Sequence, residues 1–399
     1  MLIRRAIASI ATVALLPAFA AVAPAQASAE HPANERRALT TVTFETTGWG
    51  HGKGLSQYGA RNRAAAGQSW RSIVRNYYPG TRWGKGGGMV RIQLTADSTR
   101  DVVVRARPGL KAHSLGARKT WRLPAKVRGK AVRTWRITPA RDRSTISYRT
   151  NRWHVLRVAK GDAEFTAGGQ PIVLLTPDGP MRYRGTLRST SVNASGSQRD
   201  TVNVLPLDAY LRGVVPQEVP ASWPTHAVRA QAVAARTYAA FERRAHEHSA
   251  YDLCDTSSCQ VYGGYDAENP LSDTAIRATS RVIVVYGGKP AFTQFTSSNG
   301  GWSNAGDFPY LRSREDSFDH GTADDPTMTT FNAEQITRNW PGMGDLVSIE
   351  VTERDGKGPY GGRATEVTVV GTNSTQTVSG ATLKTWLGLR ETLFRITTS

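Results

Sequence analysis

The chain is poor in cysteine, has fewer acidic than basic residues and, beyond its first thirty residues, has no long apolar run. Only Cys254 and Cys259 carry thiols among 399 residues. Two thiols do not make a tetrahedral zinc site, which would need His246 or His248 to fold back. No cysteine lies near residues 25–29, and this excludes a lipid anchor there. No later stretch approaches the ~20 apolar residues of a membrane-spanning helix. Repeats with a period of 20–50 residues are absent, so a solenoid or propeller is excluded. Against 51 Lys and Arg stand 32 Asp and Glu, a formal net charge of +19 with a pI near 10.3.

What is present begins with a leader. Two arginines in Met1–Arg5, an alanine-rich apolar stretch from Ala6 to Ala23 and small residues at 25–29 predict a secretory signal peptide over 1–29, with a polar linker over 30–40. The mature protein is then expected to be soluble outside the cytoplasm. Composition alone would suggest nucleic acid as the partner of so basic a chain. Export redirects that expectation to the anionic cell wall and the membrane face, with no nucleic acid; a solvated basic surface without a partner is the plainer alternative. In an oxidising compartment Cys254 and Cys259 suit a small disulfide loop, with zinc binding and free thiols as the other readings.

The chain divides by pattern. "TVTFETT" alternates as a strand, and "GWGHGKGLSQYGA" follows it, leading into two short helices up to Pro79-Gly80. We place this segment at 41–86. Residues 87–204 hold short β-branched runs bounded by turn residues and predict a β-rich subdomain. Residues 205–330 contain a helix of about six turns, "WPTHAVRAQAVAARTYAAFERRA", apolar almost all round and therefore buried. A helix near Leu271–Ser280, strands "RVIVVY" and "AFTQFT" and a polar turn "SSNGG" follow. Residues 331–399 predict a hairpin, another strand, a short helix and a last strand. The class is α+β.

Three clusters could carry chemistry. Glu218 sits between Pro216 and Pro220, in a stretch read as too proline-rich for helix, which would hold its carboxylate on rigid backbone. Arg229 and Arg236 are seven residues apart and share one helical face; guanidinium groups on a buried helix need anionic partners, either Glu218 or a ligand, or form a structural ion-pair network. His51 lies among glycines, which lack the Cβ that would block close approach of backbone to a ligand; it is otherwise a turn residue. By itself this segment has neither the lysine spacing of a phosphate loop nor the setting of a dinucleotide fingerprint. The polar run Thr296 to Gly301 suits sugar recognition or a tight turn.

Together these residues resemble the stage II sporulation protein D family, the SpoIID/LytB or amidase-enhancer domain. The resemblance rests on "LPLDAYLRGVVPQEVP", "AVRAQAVAARTYA", "CDTSSCQVYGG", "TSSNGG" with "PYLRS", "VSGATLKTWLGLRETLF", and "GWGHGKGLSQYGA" with "YYPGT". It implies a SpoIID-like core and a secreted, wall-associated peptidoglycan lytic transglycosylase that cuts between N-acetylmuramic acid and N-acetylglucosamine, preferably on strands stripped of stem peptides. Glu218 would be its acid/base, without metal or cofactor. Arg229, Arg236, His51, Gln57, Tyr58, Thr296, Ser297 and Ser298 would bind substrate. To act as the acid Glu218 must be protonated, which favours a partly buried site with a raised pKa; Arg229 and Arg236 nearby would act against this and lower it. A non-catalytic glycan binder that stimulates a cell-wall amidase is the alternative. In the family's usual order the glycine–histidine motif follows the "LGLR…LF" strand, whereas here it lies near the N-terminus. That departure looks like a circular permutation, in which "TVTFETT" lies beside or in line with "TLFRITT" as one broken strand.

Overall fold

The alternation in Thr41–Thr46 buries Val42, Phe44 and Thr46 on one face of a strand. This strand is the centre of a three-stranded antiparallel sheet, between Thr327–Asn332 and Phe394–Thr398. The computed structural model describes residues 38–322 and 325–398; the predicted signal peptide and most of the linker lie outside the described residues. Val42 stands opposite Thr398 and Thr46 opposite Phe394. Strands from the two extremes of the described chain thus lie side by side. They run antiparallel, so they are not one strand broken in two. Phe44 locks the sheet, meeting Phe331 and Phe394 edge to face at 5.7 and 5.3 Å.

Seven α-helices occur among the described residues: α1 (Gln57–Ala65), α2 (Trp70–Tyr77), α3 (Leu207–Glu218), α4 (Thr225–Ala245), α5 (Pro270–Ala278), α6 (Ala333–Thr337) and α7 (Gly380–Leu387). The long helix α4 is the expected buried one. Its alanines at 227, 230, 232, 234, 235, 239 and 240 are buried, and side chains that small let α1, α2, α3 and α5 all pack against it. Residues 89–206 form two sheets of six and seven strands, antiparallel except where the short segment Leu253–Cys254 adds to the second in parallel. Their inner faces, with Val104, Trp135, Ile172 and Leu174 on one and Ile92, Phe165 and Leu187 on the other, share a single core with Leu211 and Val214 of α3. The helical core and the β-rich stretch therefore stabilise each other.

Two local expectations are corrected. Glu218 is not in an irregular proline-rich stretch; it is the last residue of α3, with Pro216 inside that helix. The missing proline N–H costs one bond in the final turn, while Leu207, Tyr210, Leu211, Val214 and Val215 anchor the rest in the core. Of "AFTQFT", only Phe295–Thr296 is strand, paired in parallel with Leu55–Ser56.

Two carboxylates that the sequence reading passed over, Asp316 and Asp319, join these parts. Asp319 accepts from Ser56 Oγ and Ser298 Oγ, both at 2.8 Å, and from the Asn299 backbone N–H at 2.5 Å. Asp316 accepts from Arg63 Nη2 (2.8 Å), Tyr77 OH (2.7 Å) and Asn299 Nδ2 (3.0 Å). Both are buried. Since a charged acceptor's hydrogen bonds are strong and its stranded donors costly, Asp319→Ala should destabilise the protein by about 3 kcal/mol in urea titrations. A loss below about 1 kcal/mol would show that Asp319 is not a structural anchor.

Candidate active site

A cleft of about 420 Å³ opens between the glycine-rich loop, the C-terminal end of α3, the cysteine loop and the segment around Thr296. Of the predicted site residues His51, Gln57, Glu218, Thr296, Ser297 and Cys259 line it. The glycines explain how the loop reaches the cleft. Trp49 exchanges backbone hydrogen bonds with Ser298 (3.0 and 3.1 Å), and its carbonyl also accepts from Thr296 Oγ1 at 2.9 Å. At Gly50 (φ +122°) a Cβ would overlap that hydroxyl, and at Gly54 (φ +71°) it would overlap the Gln294 carbonyl. Only glycine permits both the positive φ and the close approach.

Glu218 is the one acidic residue on the cleft wall among the described residues. Burial pushes its carboxyl up to about 7, although a hydrogen bond from Gln57 (Nε2 to Oε2, 3.4 Å) and one from the Val261 backbone favour the ionised form. The negative end of the α3 dipole acts in the same direction as burial. The expected lowering by arginine is therefore corrected. Arg236 is fully buried, paired with Asp208 Oδ1 at 2.6 Å, and donates to the Val282 and Ile276 carbonyls. Asp208 belongs to the first turn of α3, ~15 Å of helix rise from Glu218. Arg236 is thus part of a structural ion-pair network. Arg229 is half-buried and also off the cleft wall.

His51 Nδ1 accepts from the Lys53 N–H at 2.9 Å, which leaves the proton on Nε2. Its pKa is pushed down to about 4 by burial of the ring and by the charges of Lys53, Lys384 and Arg363. By surface area the residue is exposed; burial and charge nevertheless act in one direction, so the imidazole is neutral at pH 7. It can donate a hydrogen bond into the cleft and carries no charge there.

Other predicted residues support the wall from outside. Ser298 is buried on Asp319. Tyr58 is off the wall, edge-on to Trp223 at 5.1 Å with the Arg61 guanidinium over both rings. Cys254 and Cys259 are joined as a disulfide with Cα atoms 5.6 Å apart, so neither sulfur is a free thiolate for zinc. The loop they close sets Ser257 and Ser258 on the wall. The sequence reading missed Trp49, Tyr238, Val261, Gln294 and Phe295, which also line the cleft. Trp49 was legible as an aromatic inside the glycine frame. Tyr238, a polar-tipped ring on the alanine-rich helix α4, was a weaker signal.

The arrangement is that of an α+β protein with an open polar cleft, one carboxyl held half-protonated near neutrality and a glycine-framed loop laid across it. Residues 195–286, which span α3, α4, the cysteine loop and α5, match the model of the stage II sporulation protein family, SpoIID. This match covers 92 of the 399 residues and agrees with the family that the motifs resemble. It is 34% identical over 151 residues to an uncharacterized protein of Brachyspira hyodysenteriae, 35% of this chain and 40% of that one. It is 36% identical over 115 residues to the amidase enhancer of Bacillus subtilis (27% and 15%), and 27% identical over 171 residues to stage II sporulation protein D of the same species (37% and 49%). The chain spans less than half the length of each of these relatives.

Two titrations check the electrostatics. A carboxyl whose folded pKa lies above its unfolded value binds protons more tightly when folded, so its ionisation removes stability as pH rises from about 4.5 to about 7. Glu218→Gln should therefore stabilise the protein at pH 8 by up to about 3 kcal/mol and leave it unchanged at pH 4; equal stability changes at both pH values would refute the raised pKa. Nitrogen NMR of His51 should show the neutral Nε2–H tautomer down to pH 5, and a midpoint near 6.5 would contradict the cationic surroundings described above.

Proposed function

We propose that the protein is a secreted, wall-associated peptidoglycan lytic transglycosylase acting on the bond between N-acetylmuramic acid and N-acetylglucosamine, with Glu218 as sole acid/base. The observation that carries this reading is the single cleft carboxyl with its pKa near 7. A glycosidase that uses water or a covalent intermediate needs two carboxyl groups, whereas an intramolecular attack needs one. The Glu218 proton passes to the glycosidic oxygen as the C1–O bond breaks. The resulting carboxylate accepts the proton of the muramic C6 hydroxyl while O6 closes onto C1, giving a 1,6-anhydro end and restoring the acid. Gln57 positions the carboxyl, and His51 Nε2–H and the Thr296–Ser297 segment offer hydrogen bonds to sugar hydroxyls. Among the described residues, those lining the cleft include no cation to hold a stem-peptide carboxylate, which fits denuded strands.

The antiparallel pairing of Thr41–Thr46 with Phe394–Thr398 supports the circular permutation, because a short hairpin between them would restore the family's usual order. The second reading, a glycan binder that enhances a separate amidase, is favoured by the name of the Bacillus subtilis relative. Incubation with denuded glycan strands and mass spectrometry of the products separates the two. The enzyme should release 1,6-anhydro ends, and Glu218→Gln should lower turnover by several orders of magnitude with binding retained. Reducing ends would mean hydrolysis; no cleavage by the wild type, with amidase stimulation intact in Glu218→Gln, would establish the binder.

A further inference from the structure

The charge of this protein is concentrated away from the cleft. Residues 105–160 hold 17 Lys and Arg against one carboxylate, Asp142, and so account for +16 of the chain's +19. This stretch lies outside the SpoIID match. Much of it builds one side of the six-stranded sheet, where Trp153–Lys160 is the edge strand on that side. The strand registers place Arg136, Ser147 and Val155 in one row across the outward face, Thr134, Arg149 and Trp153 in the next, and Thr138, Thr145 and Val158 in a third. Arg143 and Lys160 close the same face, and Arg105 stands opposite Thr134. The register shift between Ile146 and Ser147 sets Leu156 in a bulge of the edge strand.

The resulting face is amphipathic. Val155 is 63% exposed, Val158 51% and Leu156 36%, while Arg105, Arg143, Arg149 and Lys160 are exposed around them. Trp153 lies beside the valines with the Arg136 guanidinium 4.2 Å from its ring centre. The carboxylates near the face are Asp101, which pairs with Arg136 at 3.2 Å, and Asp142, 3.9 Å from Arg143; neither offsets the cations at 149 and 160.

We propose that this sheet face docks on an anionic phospholipid surface. Cations near such a surface are drawn to its negative potential, and a tryptophan with neighbouring aliphatic side chains suits the interfacial layer. A soluble polyanion such as nucleic acid or a wall polyphosphate would be met by the arginines alone and would leave the exposed valines in water. The apolar component decides for the bilayer. Because the edge strand is ringed by arginine and lysine, pairing with the same edge of a second copy is opposed by like charge.

The test is co-sedimentation of the purified protein with phosphatidylcholine vesicles that carry phosphatidylglycerol as the minor lipid, compared with vesicles of phosphatidylcholine alone. Binding is expected to the first alone and to weaken with salt. Val155→Ser/Val158→Ser should lose about tenfold in vesicle affinity while keeping its affinity for heparin. Arg149→Gln/Lys160→Gln should weaken both, roughly fivefold per cation. All four positions are exposed or on an edge, and circular dichroism checks the fold. A measurement on the unsubstituted fold guards against damaged variants: brominated phosphatidylglycerol should quench tryptophan emission, and Trp153→Phe should remove that quenching. Unchanged vesicle binding in the valine variant overturns the proposal, as does binding to heparin or DNA without vesicle binding, or quenching that persists in Trp153→Phe.

Discussion

The structure depends on a buried acidic anchor. Asp316 and Asp319 lie on one loop, and between them they hold the start of α1, the end of α2 and the turn at Ser298–Asn299. The two helices come from a part of the sequence remote from that loop, and backbone pairing joins the two regions at Leu55–Ser56 and at the bridges Trp49–Ser298 and Lys53–Asn304. Every oxygen of the two carboxylates has a donor, and Asp316 also has the Arg63 guanidinium at 2.8 Å, so both can be buried. That anchor holds the turn at Ser298–Asn299, whose Ser298 backbone is the hydrogen-bond partner of Trp49 in the glycine-rich loop.

The cleft inherits its chemistry from this arrangement. The loop must pass within contact of Thr296, and the absence of Cβ at Gly50 and Gly54 allows it. Once there, it contributes Gln57 and His51 to a wall whose opposite side is the end of α3. Glu218 is then enclosed by neutral groups. The cations nearest the site act on His51 and leave the carboxyl alone. The two titratable groups are pushed in opposite directions, the carboxyl up and the imidazole down, so that near neutrality one is a proton donor and the other a neutral hydrogen-bond donor.

Spacing along the chain misplaced Arg236. Arg229 and Arg236 do share a stripe of α4, yet a helix of 21 residues spans ~30 Å, and what each residue meets depends on which element crosses at that height. At Arg236 it is the first turn of α3 with Asp208, together with the end of α5. Glu218 terminates the same α3 at its far end. Proline spacing misled in a similar way, because the proline penalty is local whereas α3 is held by its buried apolar stripe.

The α+β class, the buried alanine-rich helix, the β-rich stretch and the family resemblance were legible in the chain alone, and so was the set His51, Gln57, Glu218, Thr296 and Ser297 that lines one cleft. These follow from periodicity and from short motifs whose residue types are tied to their chemistry. Which groups are neutral, that Arg236 is structural and that Asp316 and Asp319 act as the fastening came from the folded chain alone. Burial and pairing between distant stretches of the chain set those outcomes, and a carboxylate in "REDSFDH" looks the same in sequence whether it faces water or three donors in the interior.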